Sequence, residues 1–139
     1  MKGYYINLDH RTDRKHHFET NIKAWPLFKD TMRVPAIRAE KGFIGCGKSH
    51  IEVLKKLQND FLKLDSAHIT TSYIIKKTFI KTLLDNFQYA VKGLCEGKEK
   101  GNFAIDIQWK KLFKIHNIYG FKHTFASQLV GYSDIEKIN

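Results

Sequence analysis

The segment richest in chemistry-bearing residue types is Gly42-Phe43-Ile44-Gly45-Cys46-Gly47-Lys48-Ser49-His50. Gly42, Gly47, Lys48 and Ser49 satisfy the G-x-x-x-x-G-K-[ST] spacing of a phosphate-binding loop. In such a loop, backbone N–H groups wrap a triphosphate, the lysine reaches its outer phosphates and the serine hydroxyl holds magnesium. That chemistry needs a buried apolar strand running directly into the first glycine, and a second strand ending in an aspartate for the metal. Arg38-Ala39-Glu40-Lys41 stands where the first strand should be. Phe103-Ala104-Ile105-Asp106, the best candidate for the second, is short and follows a stretch of glycine, lysine and glutamate at 96–101. The spacing is therefore read as coincidental, and nucleotide binding through Gly42–Ser49 is kept as an alternative.

Other reactive side chains are dispersed. Of the seven histidines, His16 and His17 are adjacent and point to different faces of a helix, while His116 and His123 are isolated. Cys46 and Cys95 make neither a disulfide framework nor a metal set, which suits a reducing compartment. The net charge of +10, from 24 Lys and Arg against 14 Asp and Glu, favours anionic partners. Its lysine pairs, Lys55-Lys56, Lys76-Lys77 and Lys110-Lys111, are spread over separate helices rather than gathered in one block. This spacing disfavours nucleic acid, and a basic interaction module is kept as a third reading.

The elements that must position these groups read as alternating strand and helix within one domain, 1–139. Tyr4 to Leu8 is an aromatic, apolar strand with Asn7 and Asp9 at its polar end. A helix follows, capped by Thr12, with Phe18, Ile22 and Trp25 at i, i+4 and i+7 before Pro26. Met32 to Ile37 is a strand whose Pro35 assigns it to an edge or an end. From Ser49 a helix carries Ile51, Leu54, Leu57 and Phe61 on one stripe. Thr70 to Ile75 is a further strand, and Phe79, Leu83, Leu84 and Phe87 mark an amphipathic helix. Residues 93–102 read as a loop, Asp106 to Leu112 as a last helix with Trp109 and Leu112 inward, and Tyr119-Gly120-Phe121 as the start of an irregular tail. No apolar run reaches membrane-spanning length and the opening residues lack the apolar centre of a signal peptide, so a soluble, cytoplasmic protein is expected.

The order of short blocks carries a resemblance. Tyr5-Ile6-Asn7-Leu8-Asp9 with Arg11, Asp13 and Arg14 is followed by Arg33-Val34-Pro35-Ala36-Ile37, Gly45-Cys46 and Ser49-His50-Ile51. Thr70 to Ile75, Ile105-Asp106 with Trp109 to Leu112, and Gln128 with Gly131 to Glu136 come after them. In this order the blocks resemble the glycosyltransferase family 25 domain of lipooligosaccharide and collagen galactosyltransferases. The resemblance implies a GT-A, Rossmann-like α/β domain that holds a UDP-sugar at the carboxyl ends of its first strands. It implies inverting transfer of a sugar, commonly galactose, to a hydroxyl on a glycan or protein acceptor.

On that reading Asn7 meets the uracil edge, Leu8 lines the nucleotide-sugar site, Arg11 and Arg14 pair with phosphate, and Ser49 and His50 add a hydroxyl, an imidazole and the positive end of a helix dipole. Asp106 is the candidate base, Trp109 stacks on a sugar ring, and Ser133 and Asp134 contact the acceptor. Structural roles compete for the same residues: Arg11, Asp13 and Arg14 as a solvated helix start, Asp106 and Ser133-Asp134 as helix caps. The chain departs from the family between Leu57 and Asp65. Manganese is expected from the family, bound by paired acids at the end of a central strand, and no such motif occurs. The central strand itself is expected to be missing, with an internal deletion near 56–59.

Overall fold

A computed structural model describes residues 3–60, 66–69 and 73–117. Its framework is a four-stranded sheet in the order β2-β1-β3-β4. β1 (Gly3–Asn7) lies in the middle, parallel to β2 (Thr31–Pro35) on one side and to β3 (Ser66–Ile69) on the other. Tyr4 and Tyr5 point to opposite faces and both are buried, as the period of a strand covered on both sides requires. β2 pairs only with β1 among the described residues and ends on Pro35, so the missing N–H falls where the ladder stops. β4 (Tyr73–Lys76) closes the sheet as the antiparallel partner of β3.

The helix after β1 is shorter than expected. α1 (Thr12–His17) passes into a π turn over Phe18–Ile22, closed by the Lys23 N–H on the Phe18 carbonyl. The wider turn ends the helix, so Trp25 lies outside it and is 65% exposed rather than on a buried stripe. The residue at the cap position is Arg11, not Thr12, and no side chain caps the helix.

α2 (Gly42–Asp60) differs most from expectation, beginning seven residues before Ser49. Glycine in a helix costs about 1 kcal/mol relative to alanine, yet here the glycines admit close neighbours. A Cβ at Gly45 would fall on the Ile37 carbonyl, and one at Gly47 on the Val91 side chain. α2 therefore docks closely against residues 37–39 on one side and against α3 (Ile80–Cys95) on the other. Ile51, Leu54 and Leu57 are buried as the stripe required, joined by Val53. They pack with Leu83, Leu84, Phe87 and Val91 of α3 and with Tyr4, Val34 and Ile75 of the sheet. Residues 56–59 lie within α2, which runs through them without a break.

β3 lies beside β1 inside the sheet, a strand the sequence pattern did not announce. Ser66-Ala67-His68-Ile69 is too short and too polar to announce itself. At 93–102 the expected loop is only partly one. Gly93 lies inside α3 against the Phe103 ring, and α3 ends in a Schellman motif. There Lys98 N–H donates to the Gly93 carbonyl and Gly97 N–H to that of Leu94, with Gly97 at φ +83°. α4 (Lys100–Phe103), α5 (Ile105–Gln108) and a 3-10 turn (Trp109–Lys114) complete the described chain. Leu112 is buried and Trp109 half-buried against the core, as expected. Among the described residues no helix is long and apolar enough to cross a membrane.

Candidate functional site

In a sheet ordered β2-β1-β3-β4, the chain leaves β1 toward one edge and leaves β3 toward the other. The connections diverge at the carboxyl end of β1, and in open parallel sheets a crevice forms at such a divergence. Asn7, the last residue of β1, is buried there. Its side-chain amide donates to the Leu8 carbonyl at 2.8 Å and the Arg11 carbonyl at 3.1 Å. Arg11 N–H donates to the same Leu8 carbonyl at 3.0 Å, so Asn7 and Leu8 close a tight turn that presents Asp9, His10 and Arg11. The amide protons expected to read a uracil edge are thus engaged in shaping the turn.

Arg11 folds back over α1. Its Nε and Nη2 donate to the two Asp13 carboxylate oxygens at 2.9 and 2.7 Å, a bidentate fork. These bonds hold the Asp13 carboxyl well below the usual carboxylate range. Arg14 follows in the first turn, half-buried.

A third guanidinium enters from β2. Arg33, paired with Tyr5 in the ladder, donates from Nη2 to the Asn7 carbonyl at 3.0 Å and to Asp9 Oδ1 at 2.5 Å. Its Nε is buried without a hydrogen-bond partner among the described residues. An unmet buried donor typically costs about 1–3 kcal/mol. Tyr5 itself stacks on Phe18 at 4.1 Å and donates its hydroxyl to Glu19 at 2.8 Å. Burial first, and the Glu19 carboxylate second, push the phenol up to about 12. Arg33 was not among the expected site residues, because its place at the end of β1 depends on a non-local ladder. The one local signal was an arginine inside a half-buried strand.

Ser49 and His50 do not join this group as expected. They are the eighth and ninth residues of α2, beyond the first turn in which a helix dipole acts. Ser49 Oγ donates to the Gly45 carbonyl and accepts the Ile37 N–H, both at 2.7 Å, and the residue is 1% exposed. Its hydroxyl clips α2 to the segment after β2. His50 is buried with the Phe87 ring 6.0 Å away edge-on, and burial pushes its imidazole down to about 4. Lys48 is exposed on the wall of a separate shallow groove of about 340 Å³, shared with Lys41, Ile44, Leu94 and Cys95. Gly42–Gly47 are helical, so the phosphate-loop alternative has no loop to wrap a phosphate.

In comparisons with protein-family models, curated proteins and solved structures, nothing matches this chain.

On the acceptor side, Asp106 is exposed in the first turn of α5, near enough to Cys46 to raise that thiol further above its ordinary range, though burial is the larger cause. It makes no hydrogen bond or ion pair with the arginines among the described residues. Trp109 meets the Phe113 ring at 5.7 Å, edge to face. Ser133 and Asp134 lie outside the described residues. The described residues do not fit the manganese that the resemblance implies. Among the described residues no group of three or more His, Cys, Asp or Glu is placed to hold a metal ion, and Asp9 and Asp13, which follow β1, are each paired with an arginine. Guanidinium groups supply the positive charge at this end of the sheet.

Proposed function

We propose that the chain is a nucleotide-sugar-binding domain of the glycosyltransferase type, taking a UDP-sugar at the carboxyl end of β1. The observation that supports it is the convergence at Asn7. The turn that the Asn7 amide builds carries Arg11 into α1, and Arg33 reaches the Asn7 carbonyl from β2. Guanidinium groups are matched in shape and charge to phosphate oxygens, and nucleotides bind at such a divergence of strands in open α/β sheets. In this reading Arg11, Arg14 and Arg33 face the diphosphate, while Asn7 and Leu8 set the floor beneath it. The donor is a UDP-sugar, with galactose the first to try, and the acceptor is a hydroxyl on a glycan or protein. Asp106 is the base for that hydroxyl and Trp109 the apolar surface beside it.

Calorimetry tests the donor half. UDP and UDP-galactose should bind, and Arg11→Ala should weaken UDP about tenfold, the loss of one guanidinium charge beside the diphosphate. Absence of UDP binding at millimolar concentration overturns the reading. Binding of ATP that Lys48→Ala abolishes would favour the phosphate loop, and salt-sensitive binding of any oligonucleotide would favour a basic interaction module.

A further inference from the structure

We propose that Asp9 is an internal stand-in for substrate phosphate, holding the Arg33 guanidinium and yielding it to the diphosphate of a bound nucleotide. The proposal rests on the donor-site reading above and specifies how that site admits its ligand. The two arginine forks at the end of β1 are used differently. Arg11 spends both Nε and Nη2 on the two oxygens of Asp13. Arg33 uses the same edge by half: Nη2 serves the Asn7 carbonyl and one oxygen of Asp9, while Nε is buried and unpartnered. The Nε and Nη2 donors of a guanidinium lie parallel in one plane, spaced for two oxygens of a single carboxylate or phosphate.

Asp9 does not complete that pairing, and its side chain is 80% exposed against 24% for Arg33. An ion pair with one partner so exposed is weak and easily exchanged. A phosphate group offers more oxygens and more negative charge than one carboxylate, so it takes Nε and Nη2 together and repels Asp9 into solvent. Asp9 is thus a competitor for the ligand's charge, and Arg33 a binding residue whose fork is kept aligned by the Asn7 carbonyl.

The test is calorimetry at low salt with UDP, inorganic pyrophosphate and uridine, on the parent chain, Asp9→Asn, Arg33→Lys and the double variant. Asp9→Asn should bind UDP and pyrophosphate about three- to fivefold tighter, in line with removal of an exposed ion pair, with uridine unchanged. Arg33→Lys keeps the charge and loses the fork, so UDP should weaken about tenfold with uridine again unchanged. In the double variant the gain from Asp9→Asn should vanish, the non-additivity of two groups that act through one another. If the parent binds UDP and Asp9→Asn binds it no tighter, the exchange is overturned and the donor site stands. If Arg33→Lys weakens uridine as much as UDP, Arg33 shapes the turn and the exchange is likewise overturned. If neither parent nor Asp9→Asn binds UDP or pyrophosphate, both readings fall.

Discussion

Replacing Ser49 by alanine separates a ligand from a clip. The Ser49 hydroxyl satisfies two backbone groups, accepting from Ile37 N–H and donating to the Gly45 carbonyl, each at 2.7 Å in a site that is 1% exposed. The Gly45 carbonyl sits inside α2, where a helical N–H can still reach it, so its loss is small. Ile37 N–H follows the end of β2 and has no ladder partner, so alanine leaves it without an acceptor. An orphaned buried donor costs about 1–3 kcal/mol, and the lost oxygen adds a void smaller than a water. Ser49→Ala should therefore lower unfolding stability by about 2 kcal/mol, which for a chain of this size is a fall in Tm of roughly 6–10 °C. Urea titration by circular dichroism measures it, with an unchanged m-value showing that the loss lies in the folded state. Its exposed neighbour provides the contrast: Lys48→Ala should stay within about 0.5 kcal/mol of the parent. A Ser49→Ala variant as stable as the parent whose UDP affinity fell tenfold would refute the reasoning, because the hydroxyl would then be spent on a ligand.

Other expectations follow from the same contacts. Gly45→Ala should destabilise by about 1–3 kcal/mol, since its methyl meets the backbone carbonyl of Ile37 rather than a side chain that can turn away; thermal melts check it. His50, pushed down to about 4 when folded, is protonated more readily in the unfolded chain, so stability should be full above pH 6.5 and fall as pH drops toward 4. The difference is on the order of 3 kcal/mol, and His50→Leu should flatten that slope in urea titrations at successive pH values. Asp13 acts further down the scale: its folded carboxyl is depressed, so its contribution is present at neutral pH and lost as pH falls below the ordinary carboxylate range. Asp106→Asn should abolish sugar transfer from UDP-galactose while leaving UDP affinity unchanged, measured by UDP release and by calorimetry.

The sequence exposed what is local and hid what is paired at a distance. The strand expected at Tyr4 to Leu8, found at Gly3–Asn7, was legible because aromatic and apolar residues run into polar ones, and the Leu83, Leu84, Phe87 stripe was legible because its period is helical. β3 was not, since four residues of mixed polarity become a strand only through neighbours on both sides. The start of α2 was misplaced because glycines at 42, 45 and 47 look like a loop until the carbonyl of Ile37 and the side chain of Val91 are seen beside them. That one error moved Ser49 and His50 to a helix end that they do not occupy. Asn7 and Arg11 were found by their place at and just after the end of a strand, whereas Arg33 reaches Asn7 only across the ladder.

The glycine faces of α2 also bear on how the molecule opens. Leucine side chains slide and still attract at partial separation, but a helix backbone set against a carbonyl, and a hydroxyl bridging two peptide groups, lose their contact within an ångström. α2 and residues 36–39 should consequently separate from each other in one step, with no loosened intermediate between docked and undocked. In hydrogen exchange the amides of β2 and of the first half of α2 should then share a single opening free energy, making the two together the unit that carries Arg33 in or out of place.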